Sequence, residues 1–334
     1  MPAQKYLVTG GNGFIGSALV RALVKSGGTV RSLDNDSRGS QARLADVAGD
    51  VQFVTGDIRD PGVVKRAVQG VDCVCHLAYI NGTEHFYTKP DLVLDVAVKG
   101  MINVIDACRE HHVGRLVLAS SSEVYQTPPI VPTDESVPLS VPDVLNPRYS
   151  YGGGKIISEL MALNFGRKHF ERVVIFRPHN VYGPDMGREH VVPQFALRMR
   201  ELCRQTSGTL HFPIQGTGDE TRAFIYIDDM IDGVMRLIDR GEHMGIYHIG
   251  SDTEISIRRL AEEVGRAFGR EIIVVPGALL PGGTPRRCPN IGKLRSLGFE
   301  PRVSLADGLA TTVRWYREHA APAPLESGQA TAAA

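Results

Sequence analysis

The 334-residue sequence contains no apolar run approaching the roughly 20 residues that a bilayer-spanning helix requires. The N-terminal Met1-Pro2-Ala3-Gln4-Lys5 leads directly into a strand-like stretch and has none of the layout of a signal peptide. The expectation is a soluble, cytoplasmic protein with no membrane partner. Cysteine is scarce: five residues, an odd number without paired-ligand spacing, argue against a disulfide framework or a metal site. Cys73 and Cys75, two apart in a strand-like run, are expected to share one core face. Neither sign of charge is in excess, with Lys plus Arg and Asp plus Glu at 37 each. No global field therefore draws the chain to nucleic acid or anionic lipid, and any affinity for phosphate has to be local. There is a single tryptophan, Trp315, placed either within its helix or between subunits. Internal repeats are absent, and only the Ala/Pro-rich tail over 321–334 reads as low complexity and disordered.

What is present begins with Tyr151-Gly152-Gly153-Gly154-Lys155, inside a helix-like segment. The i,i+4 spacing puts a phenol and an ammonium on one helical face. An adjacent ammonium is expected to lower the tyrosine pKa, so that the phenol takes a proton from a sugar or alcohol hydroxyl as a hydride leaves the same carbon. By itself the spacing also fits a surface Tyr–Lys pair. Glycine costs about 1 kcal/mol in a helix interior, so three in succession point to close approach of another group.

The first half alternates strands and helices. The strand Lys5–Thr9 runs into Gly10-Gly11-Asn12-Gly13-Phe14-Ile15-Gly16, and a helix follows with Leu19, Val20, Leu23 and Val24 at helical spacing. Strand, glycine turn and helix form the context of a dinucleotide site, with free N–H groups offered to phosphate. A second strand, Thr29 to Leu33, ends at Asp34-Asn35. An acid there accepts ribose hydroxyls and repels a 2′-phosphate, which favours NAD, while Arg31 and Arg38 keep NADP in play. Val51–Thr55 leads to Gly56-Asp57-Ile58, where Asp57 either contacts the adenine or caps the helix begun at Pro61. Asp72–Leu77 is a buried strand in which His76 reads as a core residue. A helix over Asp91–His112 and a strand over Arg115–Ala119 complete the alternation. It predicts an α/β fold with a doubly wound, Rossmann-like parallel sheet over residues 1–180.

Strand Arg115–Ala119 opens into Ser120-Ser121-Ser122-Glu123-Val124-Tyr125, with Tyr151 and Lys155 further on. Here the chain resembles the extended short-chain dehydrogenase/reductases, in particular their nucleotide-sugar epimerases and dehydratases. The likeness runs through Gly10-x-x-Gly13-x-x-Gly16, Asp34-Asn35, Gly56-Asp57-Ile58, His76-Leu77-Ala78 and Arg177-Pro178-His179-Asn180-Val181-Tyr182-Gly183-Pro184. It continues in Thr221-Arg222-Ala223-Phe224 and Arg287-x-x-Asn290-x-x-Lys293, so it covers nearly the whole chain. The resemblance implies that NAD is held by Gly10, Gly13, Phe14, Ile15, Gly16, Asp34, Asn35, Asp57, Ile58, Leu77, Ala78, Tyr151, Lys155 and Pro178. It makes Tyr151 the acid/base, Lys155 its partner on the nicotinamide ribose, and Ser121, with Ser122 beside it, the contact to the oxidised sugar oxygen. Asn180, Arg222 and Arg287 would hold the substrate diphosphate, a task that suits the planar guanidinium fork. Two positions depart from the family pattern: Ala97 where asparagine is usual, and Asn290 where aspartate is common.

From Tyr182 the pattern is irregular. It predicts a smaller, interleaved lobe over 181–320 that binds the nucleotide sugar, with a return of the chain to the first half near 221–250. Helices are expected near Val192–Cys203, Asp228–Arg240, Ile257–Gly269 and Leu305–His319, and the Gly/Pro-rich segment Pro276–Pro289 as a lid. By resemblance the protein is a homodimer through the Tyr151 helix. The reaction turns on Glu123. A simple 4-epimerase needs no second base, whereas a 4,6-dehydratase removes the proton beside the ketone, and Ser122-Glu123 is similar to the Ser-Glu pair of GDP-mannose 4,6-dehydratases and UDP-glucuronate decarboxylases. A third alternative is a 3,5-type epimerase, since Gly187-Arg188-Glu189-His190 is similar to a loop presenting a catalytic lysine, with His190 in that place. The expectation leans to epimerisation, with dehydration or decarboxylation as the alternative; a non-enzymatic NAD-binding sensor is disfavoured because the Tyr–Lys pair and the serines are kept.

Overall fold

The computed structural model describes residues 3–278 and 284–319. Seven strands form one parallel sheet: β1 Lys5–Thr9, β2 Thr29–Asp34, β3 Val51–Thr55, β4 Cys73–His76, β5 Arg115–Ala119, β6 Arg172–Pro178 and β7 Gly245–Ile249. Their spatial order is β7-β6-β5-β4-β1-β2-β3. These strands are short apolar runs because the sheet is covered on both faces. Leu7, Val74, Leu116 and Ile175 fill one face, and Val8, Cys73, Cys75, Val117 and Val174 the other. Cys73 and Cys75 thus share a core face, as their spacing implies. The winding reverses between β1 and β4, and a crevice opens there at the strand C-termini.

Helices α1 Phe14–Lys25, α2 Pro61–Val68, α3 Pro90–Glu110 and α4 Ser150–His169 cover the first half. The helix read from Asp91 to His112 starts one residue earlier and stops at Glu110. The cap of α2 is Asp60, whose carboxylate accepts from the N–H groups of Gly62 and Val63 at 2.8 and 3.1 Å. Asp57 is therefore not the cap, since it lies one turn too early to reach those donors. In the glycine run, Gly152 and Gly154 are the crowded positions. A Cβ on Gly152 would lie 2.5 Å from Gln126 Nε2, and one on Gly154 would overlap the Tyr79 hydroxyl, whereas Gly153 meets only Val141 at 3.7 Å.

The second half of the chain contains α5 Val191–Gln205, α6 Ile227–Arg240, α7 Ile257–Ala267 and α8 Leu305–His319; of these, α6 packs against α1 and the main sheet. Small sheets join Leu210–Pro213 to Ile272–Val275, and Thr221–Ala223 to both Glu254–Ser256 and Arg286–Arg287. Between these excursions the chain enters the main sheet as β7, beside β6. Trp315 stays within α8, stacked on His319 at 5.1 Å. Part of the segment proposed as a lid, and the tail beyond His319, lie outside the described residues.

One buried ion pair joins these elements. Glu159 of α4 and Arg177 of β6 meet at 2.6 Å with side chains 3 % and 2 % exposed. Ser120, at the end of β5, donates to Glu159, and Arg177 donates to the Tyr125 hydroxyl, which sits 2.7 Å from His248 Nε2 on β7. Removing one member of such a pair strands the other charge in the core. Arg177→Met is expected to lower stability by about 3–5 kcal/mol in chemical denaturation, and Glu159→Gln added to it to recover part of that loss.

Candidate active site

The crevice is a cleft of about 1500 Å³ lined from both lobes. Its floor is backbone. Gly10 has φ +71°, and a Cβ there would lie 2.8 Å from Ala78 N; a Cβ on Gly16 would overlap the Gly10 carbonyl. Gly13 begins α1 with no side chain over the first N–H groups and no acid in the first turn. The floor is completed by Thr9, whose hydroxyl accepts from Leu77 N and Ala78 N at 3.2 Å and meets His76 Nδ1 at 2.7 Å. His76 is thus a satisfied core histidine, 4 % exposed.

Asp34, at the end of β2, accepts from Asn12 N and Asp36 N at 3.0 and 2.9 Å. Its pKa is raised, since burial outweighs those bonds. A carboxylate has about four acceptor sites, so two bonds leave capacity for a ribose diol. Asn35 donates to Asp57 at 3.1 Å, and Arg59 holds Asp57 ionised, with a pKa lowered to about 2. Phe14, Ile15, Ile58 and Pro178 also line the cleft. The residues fit a dinucleotide: a glycine floor that side chains would fill, an open helix end and an acid at the β2 terminus. Arg31 does not serve a 2′-phosphate, because it is bound to Gln52 Oε1 at 2.8 Å and to the carbonyl of Gln69 at 3.0 Å. Arg38 lines the cleft but donates to Glu189 at 3.0 Å.

Tyr151, Lys155, Ser121, Ser122 and Glu123 are brought together at the end of β5. Ser121 caps the single turn Ser122–Tyr125, accepting from Glu123 N at 3.2 Å. Tyr151 is buried, stacked on Phe86 at 4.8 Å and edge-on to Tyr79 at 5.1 Å. Its pKa is raised to about 12 by burial; a Ser121 hydrogen bond opposes this and the Glu123 charge adds to it. The expectation that Lys155 depresses this pKa is therefore corrected. The ammonium turns away, donating to the Ala119 carbonyl at 2.7 Å, and lies 5.9 Å from the Tyr151 ring centroid. Burial lowers the pKa of Lys155 itself to about 7, with Glu159 opposing.

The far wall carries cations. Arg287 and Arg222 are paired in register on neighbouring strands, and Arg287 bonds both Glu123 and Thr284. Burial favours the neutral form of Glu123, but Arg287, aided by Arg148 and Arg222, outweighs it and holds the pKa below the usual carboxylate range. Burial and Arg287 lower the Arg222 pKa to about 10. Asn180, at φ +40°, donates to the Ala223 carbonyl at 2.9 Å and lines the cleft. His190 is the residue preceding α5, partly buried, with Arg38 and Glu189 as its charged neighbours and its pKa lowered by burial. Arg43 and Asp185, 142 positions apart in the chain, pair at 2.6 Å at the rim. Tyr79, Phe86 and these rim ion pairs had no sequence signal, because each depends on segments far apart in the chain.

Fold and cleft together define a dinucleotide-dependent α/β enzyme with a tyrosine–lysine pair at its strand ends. The chain belongs to the NAD dependent epimerase/dehydratase family, whose profile matches residues 6–250. It is 32% identical over 331 residues to a dTDP-glucose 4,6-dehydratase of Streptomyces niveus, covering 95% of this chain and 94% of that one. It is 30% identical to a UDP-N-acetyl-alpha-D-glucosaminuronate decarboxylase of Bacillus cytotoxicus, covering 94% and 98%. Among solved structures, a Streptomyces venezuelae dTDP-glucose 4,6-dehydratase with NAD bound matches at TM-score 0.84 and 33% identity, covering 95% and 98%. A Thermotoga maritima UDP-glucose 4-epimerase matches at TM-score 0.84 and 25% identity, covering 94% and 99%. The enzyme is thus NAD-dependent and of the nucleotide-sugar epimerase/dehydratase type.

The Lys155 titration has a stability signature. Between the folded value of about 7 and the unfolded value of 10.5 the unfolded chain binds the extra proton, so this group makes stability rise with pH. Lys155→Met is expected to flatten that rise in denaturation midpoints measured across this window; an unchanged slope would contradict the lowered proton affinity of the buried lysine.

Proposed function

We propose that the protein is a nucleotide-sugar 4,6-dehydratase acting through a bound 4-keto sugar. The observation that carries this reading is Glu123, which lines the cleft together with Tyr151 and Ser121 and is fixed there by its N–H bond to Ser121 and its pairing with Arg287. A simple 4-epimerase has no task for a second carboxylate there. Dehydratases are among its relatives, as are decarboxylases and a 4-epimerase, so it is Glu123 that moves the balance away from the epimerisation favoured on sequence alone.

Tyr151 takes the proton of the sugar 4-hydroxyl while Ser121 hydrogen-bonds the same oxygen. Bound NAD supplies the hydride acceptor and, when oxidised, a positive ring. Lys155 orients the ribose and adds positive charge, and both lower the cost of the phenolate. Glu123 then removes the proton from the carbon beside the ketone. Glu123 passes that proton to the departing 6-hydroxyl, which leaves as water; the hydride equivalent taken from C4 would then reduce C6, with a solvent proton filling C5. Arg222, Arg287 and Asn180 hold the diphosphate. Epimerisation is the second reading, and the Arg287–Glu123 contact favours it, because a carboxylate tied to a guanidinium is a weak base.

Mass spectrometry of products from a nucleotide-sugar panel in heavy water separates the two. A product one water lighter, carrying solvent deuterium, is expected; an isomer of unchanged mass without deuterium would establish epimerisation instead. Tyr151→Phe should abolish both outcomes with NAD still bound, and Glu123→Gln should accumulate enzyme-bound NADH and keto sugar.

We also propose a homodimer through α3 and α4. Leu94 and Ile102 on α3, and Ile157 and Leu160 on α4, are 39, 40, 38 and 55 % exposed on two helices packed side by side. Exposed apolar stripes of this kind mark interfaces. Leu160→Glu is expected to give a monomer in sedimentation experiments where the parent chain is a dimer.

A further inference from the structure

Tyr79 follows His76-Leu77-Ala78 at the C-terminal end of β4 and enters the corner from the opposite side to α4. The Lys155 ammonium lies 3.8 Å from its ring centroid, nearer than to any other ring it faces. The same ring meets Tyr151 edge-on at 5.1 Å, and its hydroxyl donates to the Tyr151 carbonyl at 3.3 Å. That hydroxyl stands where a side chain at residue 154 would begin. A Cβ on Gly154 would overlap it and would also lie 2.8 Å from the Ala97 Cβ. The Tyr79 hydroxyl, with Ala97 packed close by, leaves no room for a side chain at 154 and accounts for the helix-destabilising glycine there.

We propose that Tyr79 is a further positioning residue of this site, one that holds the Lys155 ammonium against its aromatic face and fixes its direction relative to Tyr151. The proposal rests on the Tyr151–Lys155 reading of the site. Four titratable groups face the ammonium: Tyr79 and His76 from β4 and its end, and Tyr151 and Glu159 from α4 itself. The Ala119 carbonyl of β5 completes the shell. Glu159 is already shared with Arg177 and Ser120. The Tyr79 face thus supplies negative potential directly over the cation, the geometry in which a desolvated cation–π contact is strongest. A hydrophobic side chain of similar bulk fills the space without supplying that potential.

Two measurements on the full chain with its bound cofactor test this. The first is a thermal double-mutant cycle. Gly154→Ala is expected to lower Tm by several degrees in the parent and by less than half as much in Tyr79→Phe, which lacks the obstructing hydroxyl. Equal losses in the two backgrounds would overturn the packing. The second follows the Lys155-dependent rise of stability with pH, obtained by difference from Lys155→Met. In Tyr79→Leu its onset should move down by about one pH unit, equivalent to roughly tenfold in the proton affinity of the lysine. In Tyr79→Phe, which keeps the ring, it should stay in place. An onset that Tyr79→Leu leaves unmoved, or that Tyr79→Phe moves as far, would reduce Tyr79 to a space-filling residue. Neither measurement depends on turnover. A parent enzyme that oxidises no nucleotide sugar would sink the functional reading, whereas an unmoved onset would sink the assignment of Tyr79 alone.

Discussion

An ammonium sunk beneath the end of a parallel sheet is the constraint on which this structure turns. Taking a lysine charge out of water costs several kcal/mol even after relaxation. Lys155 is 4 % exposed, and the sheet answers with the Ala119 carbonyl, the Tyr79 ring and, one helical turn on, the Glu159 carboxylate. Glu159 is equally buried and needs its own partner, which is Arg177 on β6. Arg177 in turn reaches Tyr125, and Tyr125 reaches His248 on β7. Compensation for one functional charge therefore runs across α4, β5, β6 and β7. It also anchors the segment Ser120–Tyr125 at both ends, through Ser120 to Glu159 and through Tyr125 to Arg177. The residues between those anchors are Ser121, Ser122 and Glu123.

This arrangement explains why the tyrosine is not tuned by its neighbour in the simple way that i,i+4 spacing suggests. The spacing puts Tyr151 and Lys155 on one face, but a lysine side chain is long enough to choose its partner, and it chooses the carbonyl at the end of β5. What remains at Tyr151 is burial, reinforced by a nearby carboxylate, and both favour the neutral phenol. A phenol in that state is a proton donor at rest. On the reading proposed above, its conversion to a base would need positive charge beside it, which an oxidised cofactor in the cleft would supply.

The scaffold was largely legible in the chain because its signals are local. Five strands, the glycine turn, the acid at the end of β2 and the phase of the helices each lie within a dozen residues. Gly10 and Gly16 are required by contacts within the same turn and with the adjacent strand end, so their spacing carried the information. The site was legible only as a set of residue types. On paper Asp57 reads as either a cap or an adenine contact, and geometry gives the cap to Asp60 instead. Tyr79, Phe86 and the Arg43–Asp185 pair gain their roles from contacts spanning 65 to 142 positions, which no local pattern encodes. The glycine at 154 was the nearest thing to a clue: its cost to the helix implied an intruder, but not which side chain intrudes.

The rim of the site poses the opposite electrostatic problem to its interior. Around Lys155 a single positive charge must be compensated in low dielectric. Around Glu123 there are more guanidinium groups than carboxylates, and Arg222 loses proton affinity through burial and through its neighbour Arg287. A dianionic diphosphate suits that excess better than a single carboxylate does, since it offers several oxygens to two planar forks at once. On the dehydratase reading proposed above, a diphosphate that drew Arg287 away from Glu123 would leave burial, which favours the neutral carboxyl, less strongly opposed. Recognition of the nucleotide end of the substrate and the basicity of the second carboxylate would then meet at one side chain, Arg287.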